Sequence, residues 1–218
     1  MSAFATFGCA KTPSSNVKTD GIYATFEAKG YAGKTVEVHS TFQVGGPLGT
    51  NIELVGSDTI TCNGQTLTRQ DAGTFISYYY NFPYAAGSTY EFILSRSGEA
   101  PKVARVTLPE PVLLISPLNR NTYKSGYPIN LSWTPGTSSS DVLHIEFQNG
   151  GSPRDIYEDL PTDSGSFTIP AENTQIKSTS YDATLSLKRR RAGSFPNGLT
   201  GGIVQATEVS EISINLMK

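Results

Sequence analysis

Histidines and carboxylates are the residues of this chain that could form a catalytic or metal site, and their pattern favours neither. There are two histidines, His39 and His144, whereas a zinc site usually takes at least three protein ligands. No Gly-x-Ser-x-Gly elbow opens a helix, which argues against a serine hydrolase. Four carboxylates alternate with apolar residues, as on a solvated sheet face: Glu27, Glu37, Glu53 and Asp58. We predict no catalytic residue, no metal site and no cofactor; a glycosidase-like carboxylate pair is the alternative.

An aromatic segment runs from Tyr78 to Tyr84. It places five rings in seven residues, more than one buried sheet face takes, because alternate side chains of a strand point to opposite faces. Aromatic rings beside an amide suit sugar stacking or protein interfaces. We therefore predict a candidate ligand surface at Tyr79, Asn81 and Tyr84. The alternative is that Tyr79 and Tyr84 pack over a loop or a neighbouring domain.

The densest positive charge is the run Lys188, Arg189, Arg190 and Arg191. It follows an alternating strand-like stretch and precedes Ala192-Gly193-Ser194, which predicts a strand end and an exposed loop. Four cations in a loop would attract phosphate, anionic lipid or acidic glycans, so we predict a candidate anion-binding loop. The alternative is a solvated loop that discourages edge pairing. The overall net charge of −2 argues against nucleic-acid binding.

Short strands must position these residues. The chain is 37% hydrophobic and 17% charged over 218 residues, and no apolar run reaches the length of a membrane-spanning helix. Alternating runs rich in β-branched and aromatic residues recur between Gly, Asn and Pro turns. In the first half they cover 22–28, 35–42, 51–54, 58–62, 66–68, 74–80, 89–94 and 103–108, and in the second half 129–136, 142–147, 155–160, 166–169, 181–189 and 203–216. The prediction is an all-β fold, with at most one helical turn at 171–177.

Three prolines, Pro109, Pro111 and Pro117, lie within nine residues near the middle of the chain. Proline removes a backbone donor and disfavours a preceding helix, so this stretch should be extended and stiff. We place a domain boundary there. The expected organisation is a flexible tether at 1–19, a β-sandwich at 20–109 and a second β-sandwich at 110–218, both antiparallel and in tandem.

The second half resembles bacterial immunoglobulin-like and fibronectin-type-III-like domains. The resemblance lies in Leu131-Ser-Trp133-Thr-Pro-Gly136, in 163–170 and in Tyr181-x-Ala-x-Leu-x-Leu187. It implies that Trp133 is buried and that Tyr181 points inward. The first half has no tryptophan and no such motif, so its sandwich is predicted from the strand pattern alone.

The N-terminus resembles the junction of a bacterial lipoprotein, where a small residue precedes a lipidated cysteine and a polar tether follows. Gly8, Cys9 and the Ser/Thr/Pro/Asn-rich stretch to Lys18 carry the resemblance, which implies lipidation of Cys9. Thr6 departs from the usual aliphatic residue, and residues 1–8 are too short for a complete signal. Either the signal is trimmed or these residues are a disordered start. Cys62 is expected to be a buried, inert thiol, with pairing to Cys9 as the alternative.

These patterns predict a non-enzymatic protein of the bacterial cell envelope, on its periplasmic face or outer surface, anchored to the membrane through lipid on Cys9. Its expected role is protein–protein interaction through two β-sandwiches. A carbohydrate-binding or adhesion module using the Tyr78–Tyr84 segment is the second hypothesis, and an enzyme with a site assembled from loops is the third. The expected partner is an envelope protein or a glycan.

Overall fold

The computed structural model describes residues 11–73, 75–150, 155–160 and 162–218. Strands make up most of this part of the chain, which confirms the all-β prediction. Eighteen strands are present in these ranges: β1 Lys11–Pro13, β2 Ile22–Tyr31, β3 Thr35–Val44, β4 Thr50–Glu53, β5 Thr59–Cys62, β6 Gln65–Thr66, β7 Thr68–Ala72, β8 Phe75–Pro83, β9 Thr89–Ser95, β10 Lys102–Thr107, β11 Leu114–Ser116, β12 Thr122–Lys124, β13 Ile129–Trp133, β14 Val142–Gln148, β15 Ile156–Leu160, β16 Ser166–Ile169, β17 Ser180–Ala192 and β18 Gly201–Met217.

The strands form one large sheet and two small ones. The large sheet has eleven strands, with the path β1-β4-β3-β2-β18-β17-β14-β15 and with β7, β8 and β12 attached beside it. One small sheet has the order β10-β9-β5-β6, and the other has the order β11-β13-β16. Most neighbouring strands are antiparallel, while β1–β4, β12–β18 and β18–β2 are parallel.

Two apolar cores lie on the large sheet, one under each small sheet. The first takes the alternate side chains of β2, β3 and β8 together with Ile60, Phe92 and Leu94. The second core contains Trp133, which is 2% exposed, as the resemblance implied. Tyr181 packs against this core. Period-two alternation produces this pattern, because every second side chain of a strand enters the core.

The C-terminal strand β18 contributes to both cores. Its residues 201–209 pair with β2, and its whole length pairs with β17. Val204 and Ala206 belong to the first core, whereas Ile214 and Leu216 belong to the second. The large sheet is therefore continuous across the two halves. The predicted domain bounds of 20–109 and 110–218 stay a prediction. The predicted flexible tether at 1–19 is wrong for its described part, because 11–19 contain β1, which pairs with β4, and the buried Ser14 and Thr19.

Helical structure in the described ranges is confined to three short 3-10 turns at Ser14–Asn16, Thr19–Gly21 and Ala171–Thr174. The last of these lies in the stretch where one helical turn was predicted. Within the same ranges, no helix has the length and apolar character that crossing a bilayer requires.

Candidate binding groove

A polar groove of about 360 Å³ lies on the large sheet, on the face opposite the two cores. We call it the face groove and define it by its lining residues. They come from both halves of the chain: Glu27, Ala28, Lys29, Glu37, His39, His144, Glu146, Lys188, Arg190, Gln205 and Thr207. The two histidines, which the sequence analysis treated as separate strand residues, therefore line one groove.

Register across four strands builds the first-half wall of the groove. Tyr79 lies opposite His39, His39 opposite Glu27, and Glu27 opposite Gln205. The Tyr79 ring stacks on the His39 imidazole with centroids 6.2 Å apart and an angle of 24°. The Gln205 amide donates a hydrogen bond to Glu27. This row thus presents an aromatic platform followed by planar polar groups.

The second-half wall is a set of ion pairs around His144. Its Nδ1 lies 2.7 Å from an Asp159 oxygen and its Nε2 lies 3.3 Å from Glu146 Oε1. Lys188 also bonds Glu146, and Arg190 bonds Asp159. The hydrogen bond from His144, together with the Arg190 charge, holds the pKa of Asp159 below its usual range. Charge on this wall is consequently balanced locally.

The basic run lies inside β17, so the predicted exposed loop is wrong. The alternating Leu185, Leu187 pattern continues through the run because β18 extends far enough to pair with all of it. Lys188 and Arg190 point toward the face groove, while Arg189 is 1% exposed and points inward. Each of the four cations has its own carboxylate partner.

Arg189 is a structural residue, which removes it from any accessible anion site. Its guanidinium donates to Asp163 through Nε at 3.0 Å and Nη2 at 2.6 Å. The remaining donors bind carbonyl oxygens of Thr134, Glu110 and Pro111 at 2.7 to 3.0 Å. Arginine has five N–H donors, and all five are used here. Arg189 therefore fastens the proline-rich linker to the second core.

Asp163 joins this cluster to Trp133. Its Oδ1 accepts from the Trp133 indole at 2.6 Å, and its Oδ2 accepts from the Gly136 amide at 2.8 Å. Burial alone would raise the pKa of Asp163, but these hydrogen bonds and Arg189 outweigh it and hold the pKa below its usual range. The Trp-Thr-Pro-Gly motif is thus locked by a carboxylate that lies 30 residues further along the chain.

Arg191, the last cation of the run, lies beside a wider and more open cleft between the halves, lined also by Arg105, Ser138 and Ser194. It makes a two-pronged ion pair with Asp141 at 2.7 and 2.8 Å. Arg105 is likewise paired, with Glu91. Both cations of this cleft therefore already have carboxylate partners.

The aromatic segment divides between the two faces of β8. Tyr79 and Asn81 point outward, and Asn81 is exposed. Tyr80, Phe82 and Tyr84 pack against the first core, so a ligand surface that includes Tyr84 is not formed. The reason is alternation, which puts Tyr84 on the same face as Tyr80 and Phe82.

Glu208 is the inward residue of β18 at the point where that strand leaves the first core. It is 0% exposed, and neither carboxylate oxygen has a hydrogen-bond partner among the described residues. Burial raises its pKa to about 7, although the nearby Tyr84 hydroxyl and the Arg189 charge oppose the shift. Burial and the Glu208 charge also raise the pKa of Tyr84 to about 12. A Cβ at Gly30 would lie 2.6 Å from Glu208 Oε1, so glycine is needed beside it.

Cys62 is buried and free, as expected for an inert thiol. Burial, with a contribution from Glu91, raises its pKa to about 12, so little reactive thiolate forms at neutral pH. Cys9 lies outside the described residues, and its lipidation stays a prediction. Within the described ranges, no group of three or more His, Cys, Asp and Glu side chains is arranged to hold a metal ion.

Most of the face groove could not be predicted from the sequence. Alternation alone places Glu27 and Lys29, and likewise Glu37 and His39, on the outward faces of their strands. The missing information was the register of β18 between β2 and β17, which brings His144 and Lys188 beside them. Parallel pairing of strands nearly 180 residues apart leaves no local signal in the chain.

No protein-family model matches the chain, and no curated protein matches it. Among solved structures, fibronectin(III)-like modules of Clostridium thermocellum CbhA align at 12% identity over 89% of this chain and 93% of that one, with a TM-score of 0.28. Tandem Ig repeats of Dlar align at 15% identity over 90% and 95%, with a TM-score of 0.34. Bacteroides ovatus SGBP-B, solved with a mixed-linkage heptasaccharide, aligns at 16% over 94% and 46%, with a TM-score of 0.24. At such low TM-scores these likenesses carry no argument about function.

Proposed function

We propose that this protein is a non-catalytic binding module of the bacterial cell envelope that holds its partner in the face groove. The observation that carries the proposal is the continuity of the large sheet, which brings polar side chains from both halves into one groove. Side chains on paired strands are held rigidly, so such a surface can bind without first becoming ordered.

Binding without catalysis is supported by the state of the carboxylates. A general acid at neutral pH needs a raised pKa and access to the substrate. Among the described residues, Glu208 is the carboxylate whose pKa lies near 7, and it is fully buried on the inward face. On the groove side, Glu146 is instead engaged by Lys188 and His144. The charged side chains of the groove therefore serve as fixed hydrogen-bonding groups.

The composition of the groove favours a glycan over a protein partner. The centre of a protein interface is depleted in charged residues and enriched in large apolar anchors. Six of the groove's lining side chains are formally charged and only Ala28 is apolar. An aromatic platform beside planar polar groups instead resembles what a sugar ring needs, since its faces are apolar and its edges carry hydroxyls.

A glycan array tests the proposal. We expect the wild-type protein to bind array glycans and Tyr79→Ala to weaken that binding about tenfold, because one stacked ring contributes on the order of 1 kcal/mol or more. Tyr127→Ala is the matched control, because Tyr127 is a surface tyrosine beside Lys124, whereas the half-buried Tyr79 stacks on His39, a lining residue of the groove. Equal loss in both variants, binding that ignores Tyr79, or shortening of the glycans by the wild type would contradict the proposal.

The envelope location has its own test. Expression with a signal sequence in a lipoprotein-processing bacterium, followed by intact mass spectrometry, should show a diacylglyceryl mass on the wild-type chain and its absence on Cys9→Ser. Two acyl chains suffice for stable membrane anchoring. An unmodified Cys9 in the membrane fraction would remove the anchor without affecting the groove.

A further inference from the structure

We propose that the ligand of the face groove is a neutral, uncharged oligosaccharide chain. This inference rests on the proposed function and narrows its partner to one chemical class. Three features of the groove carry it: its charge balance, its mixture of donors and acceptors, and its length across the sheet.

The charges of the groove cancel. Its lining has three carboxylates, Glu27, Glu37 and Glu146, and three cations, Lys29, Lys188 and Arg190. Lys188 and Arg190 already bind Glu146 and Asp159. An anionic polymer would have to compete with these carboxylates and would meet Asp159 at the rim, so the groove offers it no net attraction.

A hydroxyl-rich ligand has no such competition. A hydroxyl group both donates and accepts, and a carboxylate has about four acceptor sites, so a sugar hydroxyl can join an ion pair without breaking it. Glu27 receives one hydrogen bond from Gln205, which leaves acceptor capacity toward the groove. The ammonium of Lys29 lies 5.0 Å from the centroid of the Tyr31 ring and supplies a donor two residues further along the same strand.

The length of the groove favours a chain over a single sugar. Its lining residues come from β3, β2, β18, β17 and β14, which are consecutive in the large sheet. Five adjacent strands span about 19 Å from the first to the last, at about 4.8 Å per interval. The stacked Tyr79 and His39 rings stand at one end of this row, where one ring of the chain could rest.

Affinity electrophoresis separates the neutral class from the acidic one. Native gels containing a neutral glucan, mannan or arabinan, or polygalacturonate, are run with about 50 mM and about 300 mM salt, which shortens the screening length by roughly a factor of two to three. We expect retardation by a neutral polymer that does not change with salt. Glu27→Gln should weaken it about tenfold through loss of a charge-assisted acceptor, while Glu91→Gln, a paired carboxylate on the other sheet, should leave it unchanged.

Each other outcome overturns the inference in a recognisable way. Retardation by polygalacturonate alone, weakened by salt and by Arg190→Gln, would replace the neutral class with an acidic one and leave the proposed function standing. Retardation by a neutral polymer that Glu27→Gln does not alter would place the site elsewhere and remove the proposed function as well. If no neutral polymer retarded the wild-type protein, and circular dichroism showed that protein to be folded, the neutral class would be rejected outright.

Discussion

Two arginines, one in each half, hold irregular backbone in the same way but to different extents. Arg96 in the first half bonds Asp58 at 3.2 Å, the Thr19 hydroxyl at 2.5 Å and the carbonyls of Ser14 and Val17 at 2.6 and 2.9 Å. It thereby ties the N-terminal segment to the loop after β9. Arg189 in the second half ties the proline-rich linker to Trp133 through Asp163.

The two clusters differ in how completely the guanidinium is used and buried. Arg96 makes four hydrogen bonds and is 9% exposed in its side chain, whereas Arg189 makes five and is 1% exposed. A buried charge is tolerated only when its partners replace the lost water. The second cluster is therefore the one whose disruption leaves the larger uncompensated charge.

The use of every Arg189 donor also explains why the neighbouring Glu208 receives no hydrogen bond from it. Glu208 lies directly opposite Arg189 in the β17–β18 register, yet it has no hydrogen-bond partner among the described residues. Every donor of Arg189 is already taken by Asp163 and three carbonyls. The guanidinium can therefore act on Glu208 only through space, which leaves burial as the dominant influence on this carboxylate.

The largest expected effect is the loss of Arg189. Arg189→Met should lower the free energy of unfolding by about 3–5 kcal/mol, because Asp163 keeps a buried charge without its partner. Arg96→Met should cost about half as much, since Arg96 is closer to solvent and makes fewer bonds. Urea unfolding at pH 7 measures both. Equal losses would show that the fifth hydrogen bond and the deeper burial contribute nothing.

The next effect concerns Glu208 and depends on pH. Its folded pKa of about 7 is raised above the usual value near 4.5, so its neutral form is favoured in the fold. The contribution is fully present below about pH 4.5 and is lost as pH rises through 7, which amounts to roughly 3 kcal/mol at pH 8. Glu208→Gln, which keeps the shape without the charge, should therefore be more stable than the wild type at pH 8.

The control for this prediction is Glu211→Gln, an exposed carboxylate on the same strand, which should change stability little at any pH. The prediction is tested by comparing the free energies of unfolding of the wild type and both variants at pH 5 and at pH 8. If Glu208→Gln were less stable than the wild type at pH 8, the Glu208 carboxylate would be accepting a hydrogen bond from Arg189 or from the Tyr84 hydroxyl, and burial would not dominate its effect on stability.

A smaller effect distinguishes the two aspartates. The pKa of Asp163 and that of Asp58 both lie below the usual value: burial raises each, but hydrogen bonds and the arginine charge outweigh it. Each contribution is present above the unfolded pKa and is lost as pH falls through the folded one. Asp163→Asn and Asp58→Asn should each cost about 1–3 kcal/mol at pH 7 and less at pH 3, measured by thermal unfolding. If either variant lost as much stability at pH 3 as at pH 7, the aspartate charge would not be the source of the loss.

Strand positions could be predicted from the sequence, because alternation and turn residues are local signals. The ranges expected for β2, β3, β9 and β14 agree with the structure to within a few residues. Partnerships between distant strands could not be predicted this way. Arg189 illustrates the difference. Its inward direction follows from continuing the Leu185, Leu187 alternation, but the four residues that accept its five hydrogen bonds come from three separate segments.

The candidate site shows the same contrast between what local alternation predicts and what depends on the pairing of distant strands. Tyr79 and Asn81 could be predicted as outward residues from alternation within β8, and Tyr84 was assigned to the wrong face because the alternation was not carried to its end. The groove itself needs His39 and His144 on one face of one sheet. That depends on β18 lying between β2 and β17, and a pairing between distant strands leaves no trace in a local pattern.

The smallest expected difference is between two probes of unfolding, one in each half. Trp133 is the sole tryptophan and reports the second core through its fluorescence, while Cys62 reports the first through thiol labelling. In a Cys9→Ser background, so that Cys62 alone reacts, the two urea midpoints should coincide, because β18 belongs to both cores and couples them. Arg189→Met should lower both midpoints together, because the coupling through β18 transmits the loss of stability from the second core to the first. Separate midpoints in the unaltered chain would mean that the shared strand does not couple the halves. Each arginine cluster would then stabilise only its own half.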